Sequence, residues 1–139
     1  MALPQPADLT SLVVRTDFSD GTAWDALRSA LDSADVYPHA TYVDDPAYAG
    51  VSVGALVAAE AVTIDDDRAG HLFLADATTM ADGEHPLLAV DLYAEPGRTF
   101  RLPPRWFPDV SVNLALANMD FADFADATDG SGTFRGFGD

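Results

Sequence analysis

The chain has 139 residues, 48% of them hydrophobic, and carries 23 acidic against seven basic side chains, a formal charge of −16. That length and apolar share suit one globular domain, and they exclude both a disordered chain and a mini-domain that needs metal or disulfide staples. Cysteine is absent, so disulfides, thiolate zinc sites and cysteine nucleophiles are excluded, and the negative field repels nucleic acid and anionic membranes.

Residues 1–8 contain neither a basic patch nor a continuous apolar run, so no signal peptide is expected. No stretch approaches the roughly 20 apolar residues of a spanning helix. The expectation is a cytoplasmic protein with a flexible segment over residues 1–8 and one domain over 9–139. Leu12-Val-Val-Arg-Thr-Asp-Phe18 reads as the first strand, ended by Ser19-Asp-Gly21. Thr22 is placed to cap a helix over 23–33, with Asp25 three residues on and Trp24, Leu27 and Leu31 at helical spacing. A strand over 39–44 and a turn over 45–50 precede a short helix capped by Ser52. Asp65 to Gly70 form a polar loop before a buried strand over 71–76.

A loop through Gly83 and Pro86 leads to a strand over 87–93. The turn Ala94-Glu-Pro-Gly97 then returns the chain as a hairpin strand over 98–102. Pro103, Pro104 and Pro108 punctuate the next loop. Asp109 and Asp120 are each placed to cap a helix, the second bearing Phe121, Phe124 and Ala125. The order β-α-β-α-β-β-β-α-α predicts an α/β or α+β fold, a mixed five-stranded sheet covered by helices. The early crossovers imply parallel pairing and the hairpin antiparallel pairing.

The first three strands each end in aspartate: Asp17, then Asp44 and Asp45, then Asp76. Adjacent parallel strands would bring these carboxylates to one rim, where open α/β sheets form ligand sites. There they would hold magnesium or calcium, or instead cap helices and shape turns, which is the common duty of aspartate after a strand. Asp65, Asp67 and Gly70 fall at calcium-loop positions, but Ala69 stands where a ligand belongs and no closing glutamate follows, so an EF-hand is not expected. Asp91 interrupts an apolar strand, and Arg98 or Arg101 on the returning strand is expected to meet it. With Arg15, these residues form a candidate polar sheet face. Arg105, Trp106 and Phe107 between prolines form a candidate partner-contact patch, or fold over the core edge. No histidine metal spacing, no GxSxG, no GxGxxG and no GxxxxGK occurs, which leans away from an enzyme and supplies no cofactor.

Several ordered stretches resemble a family of small acidic actinobacterial proteins known as a domain of unknown function. They include Leu12–Asp20 with Trp24, Val43–Gly50, Ala75–Thr79, His85–Tyr93, Arg98–Arg101, Asn113–Phe121 and Phe134–Phe137. The resemblance covers nearly the whole chain and implies a single domain; it implies no activity, ligand or catalytic residue. The remaining functional expectation rests on charge. All seven bases are arginine, and all acids except Glu60, Glu84 and Glu95 are aspartate. The acids are scattered, with Asp65-Asp66-Asp67 the one run, as a GC-rich coding sequence would also produce. A compact acidic binding protein that docks a basic protein partner, as inhibitors and immunity proteins do, is the expected function. A small enzyme or cation-binding domain on the strand-end aspartates is the alternative.

Overall fold

A computed structural model describes residues 3–61 and 70–137. In chain order these form β1 (Ser11–Arg15), α1 (Gly21–Ser33), β2 (Ala40–Val43), a 3-10 turn (Pro46–Tyr48), α2 (Val53–Ala61), β3 (His71–Ala75) and α3 (Ala77–Ala81). Then follow β4 (Leu87–Asp91), β5 (Thr99–Leu102), a second 3-10 turn (Pro104–Trp106), α4 (Phe107–Ala115) and α5 (Phe121–Ala125). The five strands make one mixed sheet in the order β2-β1-β3-β4-β5. β1 pairs parallel with β2 and β3, and β4 runs antiparallel to both β3 and β5. The fold class and strand order are those expected from the sequence. The loop expected over 65–70 lies, up to residue 69, outside the described residues, as does the Asp65-Asp66-Asp67 run.

The layering follows from the order of the parallel strands. β1 to β2 steps one way along the sheet and β2 to β3 steps back past β1. Right-handed crossovers then require α1 and α2 to lie on opposite faces. They do, and each face has its own core. On one face Val13, Phe73, Ala89 and Phe100 stand in register and pack against Trp24, Leu27, Phe107, Val110, Phe121 and Phe124. On the other, Leu12, Val14, Leu72, Leu74 and Val90 pack with Tyr48 and Leu56. Covered on both faces and both sides, β1 is buried along its whole length, Ser11 and Arg15 included. The outer edge of β5 is closed by the C-terminal tail, where Arg101 N donates to Gly132 O and Phe134 N to Arg101 O at 2.9 and 2.7 Å. That pairing removes an exposed sheet edge and inserts Phe134, 1% exposed, into the aromatic core.

Local chemistry departs from the sequence reading in three places. α1 is capped by Asp20, whose carboxylate accepts from Ala23 N at 3.0 Å, while Thr22 lies inside the first turn. α4 starts at Phe107, so Asp109 sits in its first turn and does not cap it. The third departure is α3, a single extra helix started by a reciprocal capping box between Asp76 and Thr79. Five residues are too few to leave a helical period in the sequence. Asp120 caps α5 as expected, with Asp123 completing its box.

Candidate functional site

The strand-end aspartates do share one rim, because β2, β1 and β3 are adjacent and parallel. Each is already engaged there. Asp17 Oδ1 accepts from Ser19 N at 2.9 Å, and hydrogen bonds from Ser19 hold its carboxyl below the ordinary range. Asp44 accepts from Arg15 at 3.2 Å, and Asp45 caps the first 3-10 turn through Ala47 N at 2.9 Å. Asp76 caps α3 and receives a bidentate Arg101 fork, with both N···O distances 2.8 Å. Partial burial alone would raise the Asp76 carboxyl, but Arg101 and the Thr79 amide outweigh it and hold it below its usual value. Among the described residues no three His, Asp or Glu side chains are grouped to hold a metal ion. Counting Asp20, five carboxylates face two guanidinium groups at this rim, and among the described residues Asp17, Asp20 and Asp45 form no ion pair.

The expected polar sheet face does not assemble. Arg15 and Asp91 share the α1 face but sit at opposite ends of it, while Arg101 pairs with Leu88 on the α2 face. Arg98 lies before β5 and binds Glu95 and Asp126. The Asp91 carboxylate therefore meets neither guanidinium, and Asp91 touches Arg98 only through the backbone, its N donating to Arg98 O at 2.9 Å. Its carboxylate instead accepts from Tyr93 N and Glu95 N at 2.9 and 2.8 Å and folds the hairpin loop over itself. This satisfies a 3%-exposed carboxylate without a cation. Arg15 is held by Asp17 O and Asp44, with its guanidinium 4.4 Å from the Phe18 ring centroid.

The Arg105-Trp106-Phe107 patch also divides. Phe107 is buried, its ring 4.9 Å from that of Phe73; Trp106 packs on Phe134 and Gly136; Arg105 is exposed over the Trp106 ring. A loop that follows a core strand turns its aromatic residues inward because the uncovered end of the sheet is the nearest apolar surface.

The opposite rim holds a constellation that the sequence reading missed. Ser11 and His71 begin the neighbouring strands β1 and β3, and His71 pairs across the sheet with Asp91 at the end of β4. Ser11 Oγ lies 2.8 Å from His71 Nε2 and 2.7 Å from Ser111 Oγ, and Ser111 Oγ donates to His39 O at 3.1 Å. Proton counting sets the direction of this chain. The Ser111 proton is committed to a carbonyl, so Ser11 donates to Ser111 and accepts from His71 Nε2–H. Burial lowers the His71 pKa to about 4, against the pull of the Asp91 charge, and the ring is neutral at physiological pH.

Its single proton is thus on Nε2, and Nδ1 carries a lone pair. Nδ1 has no partner among the described residues and is not sealed in the protein. His71 lines a cleft of about 470 Å³ with Asp91, Tyr93, Glu95, Met119, Asp120 and Phe121. The set resembles a Ser-His-Asp triad in composition but not in arrangement. Ser11 is 2% exposed and lies behind the ring, so its oxygen cannot meet a substrate carbonyl. The one legible signal for this site was a polar residue at the start of two otherwise apolar strands.

Fold and site together define a three-layered α+β domain with an open mixed sheet between helices, an acidic rim at the carboxyl ends of its parallel strands and a histidine-floored cleft at the other end. Residues 10–137 match the family described as Domain of unknown function (DUF6924), and the chain belongs to that family. No curated protein matches it. Among the described residues no helix is long and apolar enough to cross a membrane.

Proposed function

We propose that this is a small cytoplasmic protein of actinobacterial origin that docks a basic protein partner, in the manner of an inhibitor or immunity protein. The observation that carries this reading is how its few cations are used. Each described arginine is turned onto the chain's own carboxylates or rings: Arg15, Arg98, Arg101 and Arg135 in ion pairs, Arg28 over Tyr42 and Arg105 over Trp106. The carboxylates left over give the surface an outward negative field that speeds encounter with a positive partner. At the carboxyl-end rim this surplus is concentrated in Asp17, Asp20 and Asp45, which lie in the two loops after β1 and β2 and are held by hydrogen bonds from backbone amides.

The test is affinity capture from a lysate at low and moderate salt, followed by titration of the captured basic protein against two triple variants. Asp17, Asp20 and Asp45→Asn weakens binding by about tenfold, since each lost charge contact contributes up to about 1 kcal/mol. Asp8, Asp109 and Asp123→Asn, which removes the same charge elsewhere, changes it by less than about threefold at moderate salt. Equal loss in both variants, or no salt-sensitive basic partner at all, refutes the reading.

A further inference from the structure

The sheet has two edges, and the chain treats them differently. The outer edge of β5 is closed by the tail, which pairs with Arg101. The outer edge of β2 is not closed. Ser11 stands opposite Ala40, and Ser11 N donates to His39 O at 2.9 Å. Bonds alternate along a parallel ladder, so Thr41 and Val43 turn their backbone groups to β1 while Ala40 and Tyr42 turn theirs outward. Among the described residues those outward groups have no partner. The segment before β1 passes beside this strand, where Leu3 packs into the α2-side core and Ala7 N donates to Thr41 Oγ1 at 3.0 Å. It engages a side chain and leaves the outward backbone open. Ala40–Val43 also contains no proline, glycine or charged residue, the devices that ordinarily guard an edge against pairing.

A line of alternating N–H and C=O groups fits one kind of occupant, an extended strand that returns the same groups. The footprint is short, a donor and an acceptor from each of Ala40 and Tyr42, so pairing needs a second source of attraction. Charge supplies it and selects the occupant. Asp32 holds the Tyr42 hydroxyl and Asp35 the His39 ring, both at 2.7 Å, and Asp44 and Asp45 follow the strand directly. Arg28 over Tyr42 and Arg15 on Asp44 do not balance them, and the edge is net negative. These carboxylates are engaged within the chain, so they act through their field and not as vacant ligands. A second copy would set −16 against −16, whereas a basic segment is drawn in. We infer that the β2 edge takes up an extended segment of a partner, bearing arginine or lysine, as an added strand paired through the backbone of Ala40 and Tyr42. The inference rests on the basic-partner reading for the sign of the charge and adds how the partner is held. Because β2 runs into the acidic rim through Asp44 and Asp45, one segment laid along the edge reaches both.

The test uses the full chain and three cyclic β-hairpin peptides of one backbone, each titrated by heteronuclear NMR. The first carries the outer strand Arg-Thr-Val-Thr-Arg, the second has glutamate for arginine, and the third is the basic strand N-methylated at its outward amides. The basic hairpin binds saturably with a dissociation constant on the order of a millimolar or tighter, and moves the Ala40 and Tyr42 amide protons downfield. Methylation weakens it at least about tenfold by removing donors that the pairing uses, and the acidic hairpin does not saturate. Ala40→Pro removes an outward N–H at the first residue of an edge strand, where proline is tolerated, and weakens binding about fivefold or more. Equal binding of the methylated hairpin overturns the pairing, even where Ala40→Pro fails to fold. A folded Ala40→Pro with unchanged affinity overturns it too, and the basic-partner reading survives both results. Equal binding of the acidic hairpin overturns that reading and this inference together. A concentration-dependent dimer in sedimentation that Ala40→Pro dissolves gives the edge to a second copy and overturns the choice of occupant.

Discussion

Replacing Arg101 by Met keeps the apolar stem on β5 and removes the fork that grips Asp76, together with a long hydrogen bond to Pro86 O at 3.4 Å. Both N···O distances in that fork are 2.8 Å, and the two side chains are 23% and 25% exposed. Freely exposed pairs contribute about 0–1 kcal/mol, and stripping one partner from a fully buried pair costs about 3–5 kcal/mol. A bidentate pair three-quarters covered falls between, and the loss expected for Arg101→Met is about 2 kcal/mol at neutral pH. For a domain of this size that is a fall of about 6–10 °C in Tm. Asp76→Asn keeps the helix cap, since asparagine caps as well as aspartate, but loses the charge. A double-mutant cycle in urea then isolates a coupling of about 1–2 kcal/mol between the two side chains.

The pH dependence supplies the sign. Asp76 is held below its unfolded value of 3.8, so the unfolded chain binds more protons in between. The stabilisation is therefore complete above the unfolded pKa and is lost as pH falls through the lowered folded value. The gap between the native chain and Arg101→Met stays constant from neutral pH into the mildly acidic range and narrows below it. A gap under about 0.5 kcal/mol at neutral pH, or one that does not shrink in acid, refutes the assignment of this pair as a clamp between β5 and α3.

Three further perturbations follow from the geometry. Ser11→Ala strands the His71 Nε2–H and a Ser111 lone pair in the core and costs about 1–3 kcal/mol in urea unfolding. His71 itself, with a folded pKa of about 4 against 6.5 for the free group, titrates by NMR near its depressed value. The unfolded state takes up the proton first, so acidification through that interval removes about 3 kcal/mol of stability, and His71→Gln flattens this slope. A His71 midpoint near 6.5 contradicts the buried neutral ring. Gly136→Ala places a methyl 2.9 Å from the Trp106 ring at a residue with φ of +91°, and lowers Tm while changing Trp106 fluorescence. An unchanged Tm and spectrum would show that the tail does not pack there.

Much of the architecture was readable because its causes are local. The run Leu12-Val-Val, the His71–Ala75 segment and the Ala94–Gly97 turn announce buried strands and a hairpin, and all five strands form where expected. The rim of aspartates was equally legible, since consecutive parallel strands oblige their ends to meet. The occupants of each carboxylate were not. Asp91 and Arg101 stand on facing strands, yet the register places them on opposite faces of the sheet, and a one-residue difference reverses which neighbour each can touch. Phe107 stayed open between a surface patch and the core edge, because a helix beginning inside a proline-rich loop has no period to reveal its buried side.

By itself, then, the sequence determined what kind of molecule this is: an acidic, cysteine-free domain with a mixed five-stranded sheet between helices, since composition and hydrophobic period are properties of neighbours along the chain. Only the tertiary structure decided which polar groups meet. Ser11, His71, Asp91 and Ser111 are spread over a hundred residues and share no motif. Strand register and the docking of α4 on the sheet bring Ser11, His71 and Ser111 within hydrogen-bond reach and set Asp91 across the strand from His71. The number of ways to pair such groups grows with their separation, and packing alone selects one.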